Sequence, residues 1–334
     1  MRHRMNTILK TPITDKCAWL GKDIAQKTDW LYTMSADLLQ ALDDCVKQLE
    51  HKRLTAPEFS KTDISIHCAD ALQELAYIAD ELENGYGFIV LRGIDAAKYT
   101  EIQMSNMYYA LGLYLGEPVT QNARGDLIGY VENIGDKNQK MTRVYETNSY
   151  LPYHSDMSDV VGLLSIRKAK QGGLSSLVSS ASVYNTILEK YPEYLSYFYH
   201  TAWYDHLGEV DPSLSPIFSY YEGKLACRYL RAYIELGHER RDVPMSQVQL
   251  DALNVFDQIS HDPNLKLDMM LEPGDIQFCN NYCVMHSRNA FEDYDDLTQR
   301  RKLLRLWLKM PNARKLAKDF PGRNGIPKGL GQAA

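Results

Sequence analysis

The sequence predicts a mixed α and β fold, a double-stranded β-helix (jelly roll) core flanked by helices, in a single domain spanning residues 1–334. Two observations carry that expectation. Helical periodicity is concentrated before residue 116 and in an insert at about 182–261, while from residue 119 onward short strand-like runs alternate with turns and few β-α-β units occur. In addition, His154, with Asp156 two residues on, lies 132 positions (286 − 154) ahead of a second histidine, His286. A jelly roll presents side chains from distant strands at one open end, so residues this far apart in the chain can still converge. The expected layout is a mainly helical layer over 1–83, a jelly-roll core over 84–310 interrupted by the insert, and a tail over 311–334. A chain of this length has ample residues for a sizeable core.

Each element has a local reason. Ser35 is placed to cap a helix whose Leu38, Leu39, Leu42, Cys45, Val46 and Leu49 fall at three- and four-residue spacing. A second helical pattern covers Ala69 to Leu82. Asn84-Gly85-Tyr86-Gly87 breaks it, and Phe88-Ile89-Val90-Leu91 follows as a buried strand. Thr100 with Gln103 makes a capping box for a helix bearing Met104, Met107, Tyr108, Leu111 and Leu115, which Gly116 and Pro118 stop. These Met and Tyr side chains read as core. The apolar run 160–166 reads as a buried strand, Gly172-Gly173-Leu174-Ser175-Ser176 as a turn, and Leu177 to Ser180 as strand again. The insert shows two helical stretches, one capped by Ser246 with Gln249 three residues on. Leu271 to Phe278 is a turn feeding a strand. Leu303, Leu304, Leu306 and Leu308 mark a mostly buried strand around Arg305, where an unpaired guanidinium is costly. The tail from Pro311 is rich in Gly, Pro and Lys and is either a loose terminus or a strap over the barrel mouth or a partner subunit.

The chemistry-bearing residues centre on Tyr-His-Ser-Asp at 153–156. Residues two apart on a strand project from one face, so His154 and Asp156 can grip one cation, with His286 as a third ligand. Two histidines and a carboxylate form the facial triad of non-haem Fe(II) sites, which leaves coordination positions open. A His-x-Asp pair alone is weak, since such pairs are usually surface hydrogen bonds. The apolar strands around both ligands weigh against that bland reading. Arg301, fifteen residues (301 − 286) past His286, can hold a carboxylate through two parallel N–H bonds, which suits a dicarboxylate cosubstrate. Arg305, Arg124, Tyr130, Asn148 and Tyr150 are candidates to line a polar pocket, with Arg305 pointing to a carboxylate or sulfonate on the substrate.

Together, His154-x-Asp156, Gly172-Gly173-x-Ser175, Pro273-Gly274-Asp275, Asn280-Asn281, His286 and Arg301-x-x-x-Arg305 resemble the taurine dioxygenase and clavaminate synthase-like group of Fe(II)/2-oxoglutarate-dependent oxygenases. The resemblance runs roughly from Gly85 to Lys309. It implies the jelly-roll fold, with His154, Asp156 and His286 as iron ligands. It also implies that Arg301 pairs with the distal carboxylate of 2-oxoglutarate and that Ser175 bonds the same group. Arg305 stands where a family arginine reaches an anionic group on substrate or cosubstrate, and Tyr150 where a side chain faces substrate. The implied reaction consumes O2 and 2-oxoglutarate, releases succinate and CO2, and hydroxylates an unactivated C–H of a small polar, anionic or zwitterionic metabolite. The family's halogenases carry Gly or Ala where this chain has Asp156, so halogenation is disfavoured. Two other readings stay open: a cupin-like hydrolase or isomerase using zinc or iron, and a non-catalytic barrel that binds small molecules. The Gly-Gly-x-Ser element and the arginine pair make no special sense in the hydrolase.

Composition narrows the setting. A net charge of −6 gives no electrostatic reason to expect nucleic acid or an anionic membrane as partner. The six cysteines are scattered, with no zinc ribbon or secreted disulfide framework, so free thiols are expected. Arg2-His3-Arg4 is followed by no apolar signal region, and no stretch approaches the ~18 residues that span a bilayer. The expectation is a cytoplasmic enzyme with a small-molecule substrate, with homo-oligomerisation left open.

Overall fold

The computed structural model describes residues 7–134, 146–206, 211–320, 322 and 324–326. Nine strands carry the core: β1 (Phe88–Arg92), β2 (Ile128–Glu132), β3 (Leu151–His154), β4 (Val160–Arg167), β5 (Ser175–Ser179), β6 (Lys266–Met269), β7 (Ile276–Asn280), β8 (Val284–Arg288) and β9 (Lys302–Lys309). In the larger sheet the order is Leu31–Thr33, β1, β7, β4, β9 and Glu117–Pro118, with β2 also paired to β9. The smaller sheet runs β6, β5, β8, β3. Only Leu31–Thr33 with β1 is parallel; the other pairings are antiparallel. This is the expected jelly roll with helices around it.

Alternation along the strands sorts side chains into three layers. Phe88, Val90, Val161, Cys279, Leu303 and Trp307 from the larger sheet meet Leu177, Leu267 and Val284 from the smaller one in an inner core. Ile89, Leu91, Leu164, Ile276, Phe278, Leu304 and Leu306 face the other way. They pack under helices α1 (Ala36–Lys52), α2 (Ala69–Asn84) and α3 (Glu101–Leu115). Behind the smaller sheet, Tyr153, Val178 and Met285 pack against the insert. Strands covered on both faces read as unbroken apolar runs, which is how 160–166 and the β9 leucines look in the sequence. Ser35 Oγ accepts the Leu38 N–H at the start of α1, and the Thr100–Gln103 capping box starts α3, as expected.

Several local details differ from the sequence reading. After β4, Gln171–Gly172 pairs with Phe291–Glu292, Gly172 and Gly173 take φ 77° and 75°, and Ser175 and Ser176 already belong to β5. Ser180 opens a helix, Ser180–Lys190, capped by Ser179, rather than closing the strand. Serine favours turns and caps alike, so its presence did not separate them. The insert holds more than two helical stretches: Ser180–Lys190, Leu195–Tyr199, Arg231–Arg240 and Gln247–Ser260. It also contains two antiparallel ribbons, Ala202–Tyr204 with Ser213–Ser215 and Phe218–Tyr221 with Lys224–Cys227. Elements of three to five residues are too short for a hydrophobic period to register.

The described end of the tail is strapped down. Gly325 N–H donates to Met157 O at 2.8 Å, Ile326 N–H to Thr120 O at 2.9 Å, and Asn324 Oδ1 accepts Asp159 N–H at 3.1 Å. Ile326 is 1 % exposed and joins the inner core. Among the described residues no helix is long and apolar enough to cross a membrane.

Candidate active site

β8 lies beside β3 with His286 directly opposite His154. Their ring centroids are 4.2 Å apart. Strand alternation does not place Asp156, because β3 ends at His154 and Asp156 sits on the turn beyond it. Side-chain and main-chain bonds shape that turn instead. Ser155 N–H donates to Tyr229 O at 2.8 Å, and Asn281 Oδ1 accepts the Asp156 N–H at 2.9 Å while Asn281 Nδ2 donates to Ser158 O at 2.9 Å. The carboxylate is thereby turned back onto the histidines. Asp156 Oδ2 is 3.6 Å from His286 Nε2, and Oδ1 is 4.0 Å from His154 Nε2. One donor atom from each of the three residues lies within 4.8 Å of the others, so the trio can hold one ion.

The electrostatics favour a cation. His154 Nδ1 lies 2.8 Å from the Pro152 carbonyl, a group that only accepts, so Nδ1 carries the proton and Nε2 keeps its lone pair. Burial pushes the His154 pKa down to about 4, and the neighbouring His286 pushes the same way. Burial alone would raise Asp156. The Arg305 guanidinium 3.7 Å away and the two histidines outweigh it and hold the carboxyl well below its usual range. Trp307 Nε1 donates to Asp156 Oδ2 at 3.0 Å. A neutral imidazole and an ionised carboxylate therefore stand ready at neutral pH, and this nitrogen–oxygen donor set fits Fe(II).

Arg305 owes its position to β9, on which Leu303, Arg305 and Trp307 face inward and Leu304, Leu306 and Leu308 outward. Its Nε donates to Gln121 Oε1 at 2.7 Å, and Gln121 Nε2 donates back to Arg305 O at 2.7 Å and to Leu127 O at 2.9 Å. Gly129 pairs with Arg305 across the sheet, and a Cβ there would meet Gln121 Oε1 at 2.5 Å. Arg301 stands one residue ahead of β9. It is buried, its N–H donates to Asp293 Oδ1 at 2.8 Å, and its Nη1 has no partner among the described residues. Burial, and then the nearby Arg288, push Arg301 down to about 9, which leaves it cationic at neutral pH. Ser175 and Arg301 line one small cavity with Gly173, Ser165, Leu271 and Leu303. Ser175 Oγ donates to Gln277 Oε1 at 2.8 Å.

Of the other pocket candidates, only Asn148 stays beside the site. Tyr130 pairs with Leu304, not with Arg305, so it lies on the outer face, 55 % exposed under Lys302 Nζ. Arg124 is on an exposed turn, paired with Asp126 at 2.8 Å. Tyr150 gives its hydroxyl to His261 Nε2 at 2.7 Å, at the end of the Gln247–Ser260 helix. Asn148 O accepts the Phe291 N–H at 3.1 Å, which sets it beside the arginine end of the site. Polar residues near a motif line its pocket only if register puts them on the right face, and a one-residue shift reverses the face. Conversely, Trp307 and Gln121 escaped the sequence reading. Trp307 carried a usable signal, two residues past Arg305 on the same strand face, whereas Gln121 carried none. The Pro273-Gly274-Asp275 element is scaffold. Asp275 takes Arg92 with bonds of 2.8 and 2.7 Å, and Gly274 at φ 93° passes so close to Ile94 O that a Cβ would sit 2.1 Å from it.

Against known proteins, the model of the family described as "Taurine catabolism dioxygenase TauD, TfdA family" matches residues 46–307. The chain belongs to the TauD/TfdA family. It is thus an Fe(II)/2-oxoglutarate-dependent dioxygenase, and the hydrolase and non-catalytic readings fall away. It is 32 % identical over 320 residues to FR-33289 synthase of Streptomyces rubellomurinus, covering 93 % of this chain and 94 % of that protein. A taurine hydroxylase-like protein of Stachybotrys chartarum is 25 % identical over 307 residues, covering 88 % and 79 %. Among solved structures, an asparagine oxygenase with Fe(II), 2S,3S-3-hydroxyasparagine and succinate superposes at TM-score 0.65 and 15 % identity, over 84 % of this chain and 93 % of that one. The non-heme iron oxygenase OrfP with Fe and alpha-ketoglutaric acid superposes at TM-score 0.57 and 14 % identity, over 83 % and 93 %. These likenesses bear out the jelly-roll fold.

Proposed function

We propose that this dioxygenase hydroxylates an unactivated C–H bond of a small anionic or zwitterionic, amino-acid-like metabolite. In this reading His154 Nε2, an Asp156 oxygen and His286 hold Fe(II). Arg301 and Ser175 hold the distal carboxylate of 2-oxoglutarate, and Arg305 orients an anionic group of the substrate. One observation carries the substrate class: the buried Arg305 guanidinium is pinned by Gln121 at 3.7 Å from Asp156 Oδ1, a fixed positive charge at the edge of the ligand set. The bound iron, with 2-oxoglutarate and O2, supplies the oxidising power, and succinate and CO2 are released. The chain orients and shields. Trp307 and Asn281 keep Asp156 in place, and Leu177, Val161 and Val284 keep water from the inner end of the site.

The relatives support the same class. The asparagine oxygenase structure contains 3-hydroxyasparagine, an OrfP structure contains (3S)-hydroxy-L-Arg, and the Stachybotrys chartarum relative is named for its likeness to a taurine hydroxylase. Six free cysteines and a net charge of −6 support a cytoplasmic enzyme that needs neither membrane nor nucleic acid. The test is succinate release by iron-loaded protein across amino acids, sulfonates, phosphonates and simple carboxylates. Stimulation by a subset of these, lost in Arg305→Gln, is expected. Stimulation by peptides or nucleic acid alone would overturn the substrate class. Asp156→Ala should abolish turnover, and near-normal succinate from that variant would overturn the iron ligands.

A further inference from the structure

Arg288 has no part in the assignments above, yet it is 4 % exposed and two residues past His286 on β8. On that strand Val284 and His286 face inward and Met285 faces the insert, so Arg288 shares the inward parity. Directly opposite it on β5 is Ser175, the residue that lines the small cavity with Arg301. Both guanidinium groups lie over the Phe291 ring, Arg288 Cζ at 4.7 Å and Arg301 Cζ at 5.2 Å from its centroid. Arg288 Nη2 donates to Ser149 O, but Arg288 Nε and Nη1 and Arg301 Nη1 are buried with no partner among the described residues. Among the described residues Asp293 is the carboxylate that acts on both arginines; its Oδ1 accepts the Arg301 main-chain N–H, and its Oδ2 is buried without a hydrogen-bond partner. Two buried cations thus share one anion, leaving a net positive charge and unused donors in one place. Such a cluster is costly unless a further anion completes it.

We infer that Arg288 is a second guanidinium for the distal carboxylate of 2-oxoglutarate, which Arg301 and Arg288 hold together. This rests on the reading above that the cosubstrate's far end lies at Arg301. A carboxylate brings one negative charge and acceptor capacity for several N–H groups, which is what the cluster lacks. The site would then select 2-oxo acids that end in a second carboxylate, and a neutral end would leave both arginines uncompensated.

The test is an anaerobic titration of the Fe(II)-loaded full chain, followed by its visible charge-transfer band. Titrants are 2-oxoglutarate and 2-oxobutanoate, a 2-oxo acid without the distal carboxylate. The proteins are wild type, Arg288→Gln, Arg288→Lys and Arg301→Gln. Arg288→Gln should weaken 2-oxoglutarate by about tenfold or more and leave 2-oxobutanoate within about twofold. Arg288→Lys, which keeps the charge but loses the planar fork, should fall between wild type and Gln. If Arg288→Gln does not fold, the lysine variant alone decides, by a loss confined to 2-oxoglutarate. An equal loss for both acids, or no loss at Arg288 while Arg301→Gln loses affinity, overturns the inference and leaves the cosubstrate reading standing. Undiminished 2-oxoglutarate binding in Arg301→Gln overturns that reading itself.

Discussion

Gln121→Leu removes a side chain that touches none of the three proposed iron ligands yet should alter the enzyme in a definite pattern. Gln121 is 2 % exposed and makes three hydrogen bonds, two to carbonyls of Leu127 and Arg305 and one from the Arg305 guanidinium. Leucine nearly conserves the volume, so little cavity term arises. Two neutral bonds at about 1 kcal/mol each and one to a charged group at about 1.5–3 kcal/mol give a stability loss of about 3.5–5 kcal/mol. Urea unfolding of the metal-free protein reads it directly. Freed of its tether, Arg305 no longer holds one geometry, so KM for the substrate should rise. Iron content and 2-oxoglutarate affinity should hold, because Arg305 keeps its charge and His154, Asp156 and Arg301 keep their bonds to Pro152, to Asn281 and Trp307, and to Asp293. Gly129→Ala probes the same bond from the other side, since its Cβ would sit 2.5 Å from Gln121 Oε1. Its effect should be of the same sign and non-additive with Gln121→Leu. A loss below about 1 kcal/mol with an unchanged substrate KM would refute the role of Gln121.

Three further outcomes are expected. Trp307→Phe keeps the ring but removes the 3.0 Å bond to Asp156 Oδ2, and iron affinity should fall by about tenfold; an unchanged iron titration would speak against the bond. Ile326→Ala should lower stability by about 2–4 kcal/mol, because Ile326 is packed into the inner core, and a negligible change would mean the strap is not seated in solution. In the metal-free protein, the His154 pKa is depressed to about 4 from 6.5, so as pH falls the unfolded chain binds the proton first. The His154 contribution is intact above pH 6.5 and is lost between there and pH 4, by about 3 kcal/mol. His154→Gln should flatten that part of the stability profile, and an identical profile would contradict the assignment.

What could be read from the sequence follows from how local each signal is. Capping at Ser35, Thr100 and Ser246 involves residues three apart, and the unbroken apolar runs of β4 and β9 need only their own residues, so these were legible. The candidate metal trio is legible from residue type, but its geometry is not: strand alternation predicts a shared face for His154 and Asp156, whereas the turn after β3 is what brings them together. The pocket was not legible, because membership depends on pairing. Leu304 and Arg305 are adjacent in sequence, yet their partners Tyr130 and Gly129 lie on opposite faces of β2, and no window of sequence reports that register.

The adjacent asparagines at 280 and 281 show where such legibility ends. Both stand in a family motif, and their sequence context is the same. Asn280 Nδ2 reaches outward to Leu82 O at 3.1 Å and Glu83 Oε2 at 2.9 Å, tying β7 to the end of α2. Asn281 turns the other way and orders the Asp156 turn, 125 positions upstream in the chain. The division of labour arises because β7 ends between them: the last strand residue points to the helical layer, and the first residue past it is free to bend toward the ligand turn. A motif therefore names residues worth attention, but which of them serves the scaffold and which the iron site is decided by where the strand stops.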